Sequence, residues 1–190
     1  MAAGTAAIAA VIFAGTDVDD LIILTLLFLS ARTTGAPRVR DIVVGQYLGI
    51  AALVAVSLGA AAGLLVVPER WIGLIGLVPL ALGLWALIRP EHEEAPTAIR
   101  GWWAVAALTV ANGADNLAVY IPVFRTIGPA QSALTIAVFA VLVGLWLALA
   151  SWLGGHRRVV DLVERSGRWL VPAVFIAVGM AVIVRSGLLA

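Results

Sequence analysis

Residues Thr16-Asp17-Val18-Asp19-Asp20-Leu21 set three carboxylic acids inside an otherwise apolar run from about Ala3 to Ser30. A membrane-spanning helix needs about 20 mostly apolar residues, and this run is long enough. Asp19 then falls near mid-bilayer, with the apolar half-span Leu21–Leu29 still to come. An acid at that depth costs about 2.5–3.5 kcal/mol on insertion scales, so three facing lipid would cost on the order of 8–10 kcal/mol. That is comparable to the whole stability of a typical domain. The acids must therefore be protonated, hydrated or neutralised by a bound cation.

Composition makes the membrane reading firm. The chain has 190 residues, 63% hydrophobic and 12% charged. A soluble globular domain has about 45–50% apolar and about 25% charged residues. A soluble fold of this size could not bury so much apolar surface and keep a wettable exterior. Soluble enzymes, nucleic-acid-binding domains and disordered chains are excluded. The net charge is +1, from 12 basic and 11 acidic residues, too balanced to call for a polyanionic partner. Every cation is Arg, and there is no Cys, so disulfides, thiolate nucleophiles and thiolate metal sites are excluded. Met1 and Met180 are the only thioethers. No basic segment precedes the first apolar run, which reads as a retained span and not a cleaved signal. No GxxxxGK[ST] loop is present, so ATP would have to act through another subunit.

Working outward, six runs can span: near Ala3–Ser30, Ile42–Val67, Trp71–Ile88, Trp102–Phe124, Ala133–Leu153 and Trp169–Leu189. They are apolar on every face, which argues against the alternating pattern of a β-barrel. The fold expected is an all-α membrane protein, one membrane domain over 1–190. Arg32, Arg38, Arg40, Arg89, Arg100, Arg157, Arg158, Arg165 and Arg168 fall in loops 1–2, 3–4 and 5–6; Arg70, Arg125 and Arg185 fall on the other side. The positive-inside rule places the first group in the cytoplasm and both termini outside a cell-membrane protein. Trp71, Trp102, Trp103, Trp152 and Trp169 stand at span ends, as interfacial anchors do.

A second polar cluster, Asn112-Gly113-Ala114-Asp115-Asn116-Leu117, aligns with Thr16 to Leu21 at an offset of 96 residues (115 − 19). The same offset aligns Phe28 with Phe124, and Leu77-Val78-Pro79 recurs as Leu170-Val171-Pro172 at a similar distance. Three spans per copy is odd, so the copies, about 1–90 and about 100–190, are expected to be inverted in the membrane. Such repeats place a midplane site at their interface in many transporters.

At about 100° per residue, Thr16, Asp19 and Asp20 share one helix face, as do Asn112, Asp115 and Asn116; Asp17 lies about 60° beyond Asp20. If the faces meet, six oxygen-bearing side chains converge. Such oxygens are hard ligands, suited to Mg²⁺, Ca²⁺ or Mn²⁺. Asp19, Asp20 and Asp115 carry −3 when ionised; a divalent cation leaves −1, and two or three protons would serve in its absence. Their titration would be coupled. This is the charge balance of metal/proton exchange, with Asp17, Asp19, Asp20 and Asp115 as proton-coupling groups. A protonated Asp pair could also join helices by hydrogen bonds, but two matching clusters are a costly way to do so.

Gly15 and Gly113 are candidate helix breaks that could free carbonyl oxygens for a cation, or could serve close packing. Pro79, Pro122 and Pro172 could kink spans 3, 4 and 6. Gln46 and Tyr47, a polar pair in span 2, could line an access path, with an interfacial Tyr as the plainer reading. His92 in Glu91-His92-Glu93-Glu94 reads as part of a solvated acidic loop. His156 stands beside a basic patch facing headgroups, and Arg185 can snorkel.

The chain resembles the cadmium-resistance transporter (Cad) family, within the lysine-exporter superfamily. The resemblance is carried by Gly15-Thr16-Asp17-Val18-Asp19-Asp20-Leu21, Gly45-Gln46-Tyr47-Leu48-Gly49, Gly76-Leu77-Val78-Pro79, and Asn112-Gly113-Ala114-Asp115-Asn116 through Tyr120-Ile121-Pro122. It implies six spans in two inverted repeats and export of divalent cations, cadmium above all. It carries site roles onto Asp19, Asp20, Asn112, Asp115 and Asn116, and less firmly onto Thr16 and Gln46. Asp17 departs from the pattern, where an uncharged residue is expected. Cadmium is soft, whereas these oxygen ligands favour a hard or borderline ion; weak, transient binding by a carrier that must release its cargo reconciles the two. The expected activity is thus secondary export of a divalent cation such as Cd, Zn or Mn, without a resident cofactor and not as an enzyme. A small cationic solute, such as an amino acid, is the alternative cargo. An intramembrane aspartyl protease fits less well, because Gly113-Ala114 precedes Asp115 where such enzymes carry Gly-x-Gly-Asp. Membrane lipid is the expected surround; nucleic acid is not an expected partner, and homodimerisation is left open.

Overall fold

The computed structural model describes residues 2–63 and 100–155, with single positions 77, 80, 81, 84, 176, 180 and 183. Spans 3 and 6, the Leu77-Val78-Pro79 repeat with its counterpart, Pro79, Pro172, His92, His156, Arg185, Trp71 and Trp169 therefore lie wholly or mostly outside the described residues. All regular structure among the described residues is helical: α1 (Ala2–Thr16), α2 (Val18–Thr34), α3 (Val39–Gly63), α4 (Trp102–Asn112), α5 (Ala114–Thr126) and α6 (Pro129–Leu153).

Helices α3 and α6 each have 25 residues and are long and apolar enough to cross a membrane. Helices α4 and α5 make a third candidate span if taken together, bent by 71° at their junction. The first expected span is two helices, α1 and α2, separated at Asp17. Local sequence explains the ends. Gly35 stops α2 with φ +76°, a left-handed conformation that glycine adopts without a Cβ clash. Pro129 opens α6, where the missing N–H has no helical partner anyway. Pro122 lies within α5. The bend in span 4 falls at Gly113 and not at Pro122.

The helices pack as two groups. Helices α1 and α2 lie along α6: Phe13 meets Phe139 with ring centroids 5.4 Å apart, Asp17 meets Trp146, and Arg32 meets Ser151. These contacts ascend together, so the three helices run in the same direction. Arg32 donates to the Ser151 carbonyl at 2.6 Å, satisfying one of the free carbonyls at the end of α6. Helix α4 lies along α3 in the same parallel sense. A Cβ on Gly45 would sit 2.5 Å from the Trp102 carbonyl oxygen, and one on Gly49 2.5 Å from Thr109 Cβ. Gly45 and Gly49 thus form a small-xxx-small seam that lets the two backbones approach. Outward, Trp103, Val141 and Val11 are 72%, 64% and 61% exposed, and Trp102 and Trp152 are exposed as well. Large apolar side chains on the rim suit a lipid surround.

Candidate functional site

The two polar clusters are two helix breaks. Asp17 separates α1 from α2 with φ −112°, ψ 19°. Gly113 separates α4 from α5 with φ −85°, ψ 20°. Both lie in the bridge region, which turns the chain without a left-handed residue. The breaks are 96 residues apart (113 − 17), the offset of the sequence repeat. Each is followed by the same device. Asp19 Oδ1 accepts the N–H of Asp20 at 2.9 Å, and Asp115 Oδ1 accepts the N–H of Asn116 at 2.9 Å. An acid in the first turn of a helix takes a free N–H and suits the positive end of the dipole.

The breaks cross antiparallel, with Thr16 near Tyr120, Asp17 at Asn116 and Asp19 at Asn112. Asn116 donates to Asp17 Oδ1 at 3.1 Å, and Tyr120 donates its hydroxyl to Asp17 Oδ2 at 3.1 Å. The Tyr120 oxygen accepts from Asn116 in turn, at 2.9 Å. Thr16 Oγ1 lies 3.0 Å from both Asp17 Oδ2 and the Ile12 carbonyl, with one proton to give. Asn112 donates to Asp19 Oδ2 at 2.9 Å. Gln46, from α3, donates to Asp20, and its Oε1 accepts from Thr109 at 2.8 Å. Each acid of the first break thus meets one carboxamide from another helix. Asp115 lies within electrostatic range of Asp19 and Asp17.

Thr16, Asp17, Asp20, Gln46, Thr109, Asn116 and Tyr120 are buried, while Asp19, Asn112 and Asp115 are half-buried. A small crevice is lined by Asp17, Asp20, Ile50, Leu53, Thr109, Asn112 and Asn116. Among the described residues no three His, Cys, Asp or Glu side chains stand close enough together to hold one metal ion. Asp19, Asp20 and Asp115, the three carboxylates of the two shared faces, therefore do not form such a group. Each carboxylate of the first break accepts from one amide N–H, which takes up one of its lone pairs.

Two further expectations need correction. Gly15 is not a break: it lies within α1, and the chain turns at Asp17. The carbonyl of each break residue is engaged. The Asp17 carbonyl accepts from Leu21 N–H at 3.0 Å and from Trp146 Nε1 at 2.7 Å; the Gly113 carbonyl accepts from Leu117 N–H at 3.0 Å. Gln46 and Tyr47 do not line one path. Gln46 is buried in the network, whereas Tyr47 is 40% exposed and donates to the Ala140 carbonyl of α6 at 3.1 Å. Gly113 serves both readings, since it stands at the break and a Cβ there would strike the Leu53 side chain of α3.

The structure adds Thr109, Trp146 and the Gly45–Gly49 seam to the surroundings of the site, and gives Tyr120, part of a sequence motif, a place in the network. The seam was legible as G-x-x-x-G in an apolar run. Thr109 lies three residues before Asn112 and shares its face. No sequence signal distinguishes Trp146 from the other tryptophans.

Comparison with curated proteins and with solved structures found no match. The model of one family does match, over residues 13–190, and it is described as Cad, cadmium resistance transporter. The match includes both helix breaks, the Gly45–Gly49 seam and every acid of the network. The chain is a membrane protein that belongs to the cadmium resistance transporter family.

Proposed function

We propose that the protein is a secondary transporter that exports a divalent cation across the cell membrane in exchange for protons. In this reading six spans form two inverted three-helix repeats, about 1–90 and about 100–190, with both termini outside. The observation that carries it is the antiparallel crossing of two acid-bearing helix breaks at the repeat offset. The packing agrees, because α1 and α2 lie on α6 while α4 and α5 lie on α3, an exchange of partners between the two halves.

Asp19, Asp20 and Asp115 supply the charge for the cation, and Thr16, Asn112 and Asn116 supply neutral oxygens. In the conformation described here the amides donate to the acids. An arriving cation takes the carboxylate lone pairs, and Asn112 and Asn116 then turn their oxygens toward it. Protons, shared with Asp17, replace the cation when it leaves and let the acids cross back without a bare charge in low dielectric. Protein in liposomes is expected to move Cd²⁺, Zn²⁺ or Mn²⁺, and Asp115→Ala to lose that flux. Unchanged flux in Asp115→Ala would remove the site, and competition by a cationic amino acid would favour an organic cargo.

A further inference from the structure

We propose that Trp146 is a positioning residue of the transport site: its indole N–H, held on α6, pins the carbonyl of Asp17 and so fixes the break from which Asp17, Asp19 and Asp20 face α3, α4 and α5. The proposal rests on reading the acid cluster as the cation's site. Trp146 Nε1 donates to the Asp17 carbonyl oxygen at 2.7 Å, across 129 residues of chain. Leu21 N–H donates to the same oxygen at 3.0 Å, so both of its lone pairs are engaged.

The ring cannot swing freely. It stands edge-on to Phe13, with centroids 5.5 Å apart and planes at 83°, and Phe13 packs in turn on Phe139. Indole has one donor and no acceptor, and in an apolar span that donor has few places to go. Here it goes to the residue where the helix turns. The second break lacks this anchor: no side chain among the described residues bonds the Gly113 carbonyl, which is met by Leu117 N–H. The first break is thus tied to α6 by a specific bond, and the second is held by the packing of Leu53 against Gly113. Trp146 bonds the main chain of Asp17 and not its carboxylate; it acts through the direction it imposes on Asp17 and the turn that follows.

The test replaces Trp146 in the full-length protein with 3-benzothienylalanine, a ring of nearly the same shape whose sulfur carries no hydrogen. 5-Fluorotryptophan at the same position retains the N–H. Transport of Cd²⁺ in liposomes is measured against Cd²⁺ concentration. The sulfur isostere should raise KM about three- to tenfold, the worth of one hydrogen bond, with the maximal rate changed less than about twofold. 5-Fluorotryptophan should match the unsubstituted protein. Amide exchange should quicken at Leu21 and stay unchanged at Leu117. An unchanged KM in the sulfur isostere overturns the proposal, and so does an equal rise in both ring variants, which would assign the effect to ring packing. An unsubstituted protein that carries no divalent cation overturns the cation reading itself, and this proposal with it.

Discussion

Asn116 donates its side-chain N–H to the Asp17 carboxylate at 3.1 Å, joining two positions 99 residues apart in the chain. Each stands at or just after a point where a helix is interrupted. The bond therefore ties one interruption to the other. The same Asn116 nitrogen also donates to Tyr120, whose hydroxyl donates back to Asp17, so the contact is a closed ring of three groups.

Replacing Asn116 with Leu keeps most of the volume and removes the donor. Asp17 and Tyr120 would each lose a partner in a buried setting, at a cost of about 1–3 kcal/mol. Thermal unfolding in detergent should show a lower midpoint for Asn116→Leu than for Asn116→Gln. Equal midpoints would show that the ring contributes nothing to stability.

The Gly45–Gly49 seam makes a second prediction. Leu at position 49 would place side-chain atoms where Thr109 and the Ala106 carbonyl now lie. The overpacking should cost about 1–3 kcal/mol. It should also weaken the Thr109–Gln46–Asp20 chain, since that chain depends on close approach of α3 and α4. Gly59→Leu is the control, because a Cβ at Gly59 meets nothing within 4 Å. Similar melting temperatures for the two variants would contradict the seam.

Asp115→Ala removes one ionic ligand of the proposed site. By analogy with charge-assisted hydrogen bonds the loss is about 1.5–3 kcal/mol, or roughly 10–100-fold in cation affinity. Isothermal titration with Cd²⁺, Zn²⁺ and Mn²⁺ would measure it. Asp41→Ala, at the start of α3 and outside the network, should bind like the unsubstituted protein.

Proton exchange has its own readout. A pH-sensitive dye inside liposomes should report protons moving opposite to Cd²⁺. Asp20→Asn keeps the shape of the side chain and an acceptor for Gln46, yet cannot carry a proton or a charge. It should reduce the protons moved per cation. A ratio equal to that of the unsubstituted protein would remove Asp20 from the coupling.

The acid clusters were legible because their signal is additive. Each carboxylate at mid-depth carries its own cost whatever surrounds it, so Asp17, Asp19, Asp20 and Asp115 stand out before any contact is known. The shared face of Asn112, Asp115 and Asn116 was legible because helical periodicity is local. Gly113 was legible as a break or a packing site, and it is both. The break at Asp17 was not: Gly15 has the weaker helix propensity, but Trp146 and the Asn116–Tyr120 pair hold the chain at Asp17, and tertiary contacts outweigh propensity.

By itself the sequence determined the solvent, the helical class and which residues do not belong in lipid, since transfer free energy sums over residues and needs no partner. Only the tertiary structure decided which amide meets which acid, that Gln46 turns inward while Tyr47 turns out, and that an indole on α6 holds the first break. Those outcomes depend on the register of crossing helices. Apolar side chains of similar size leave that register nearly degenerate, and it is resolved where Gly45, Gly49 and Gly113 let backbones or side chains come close.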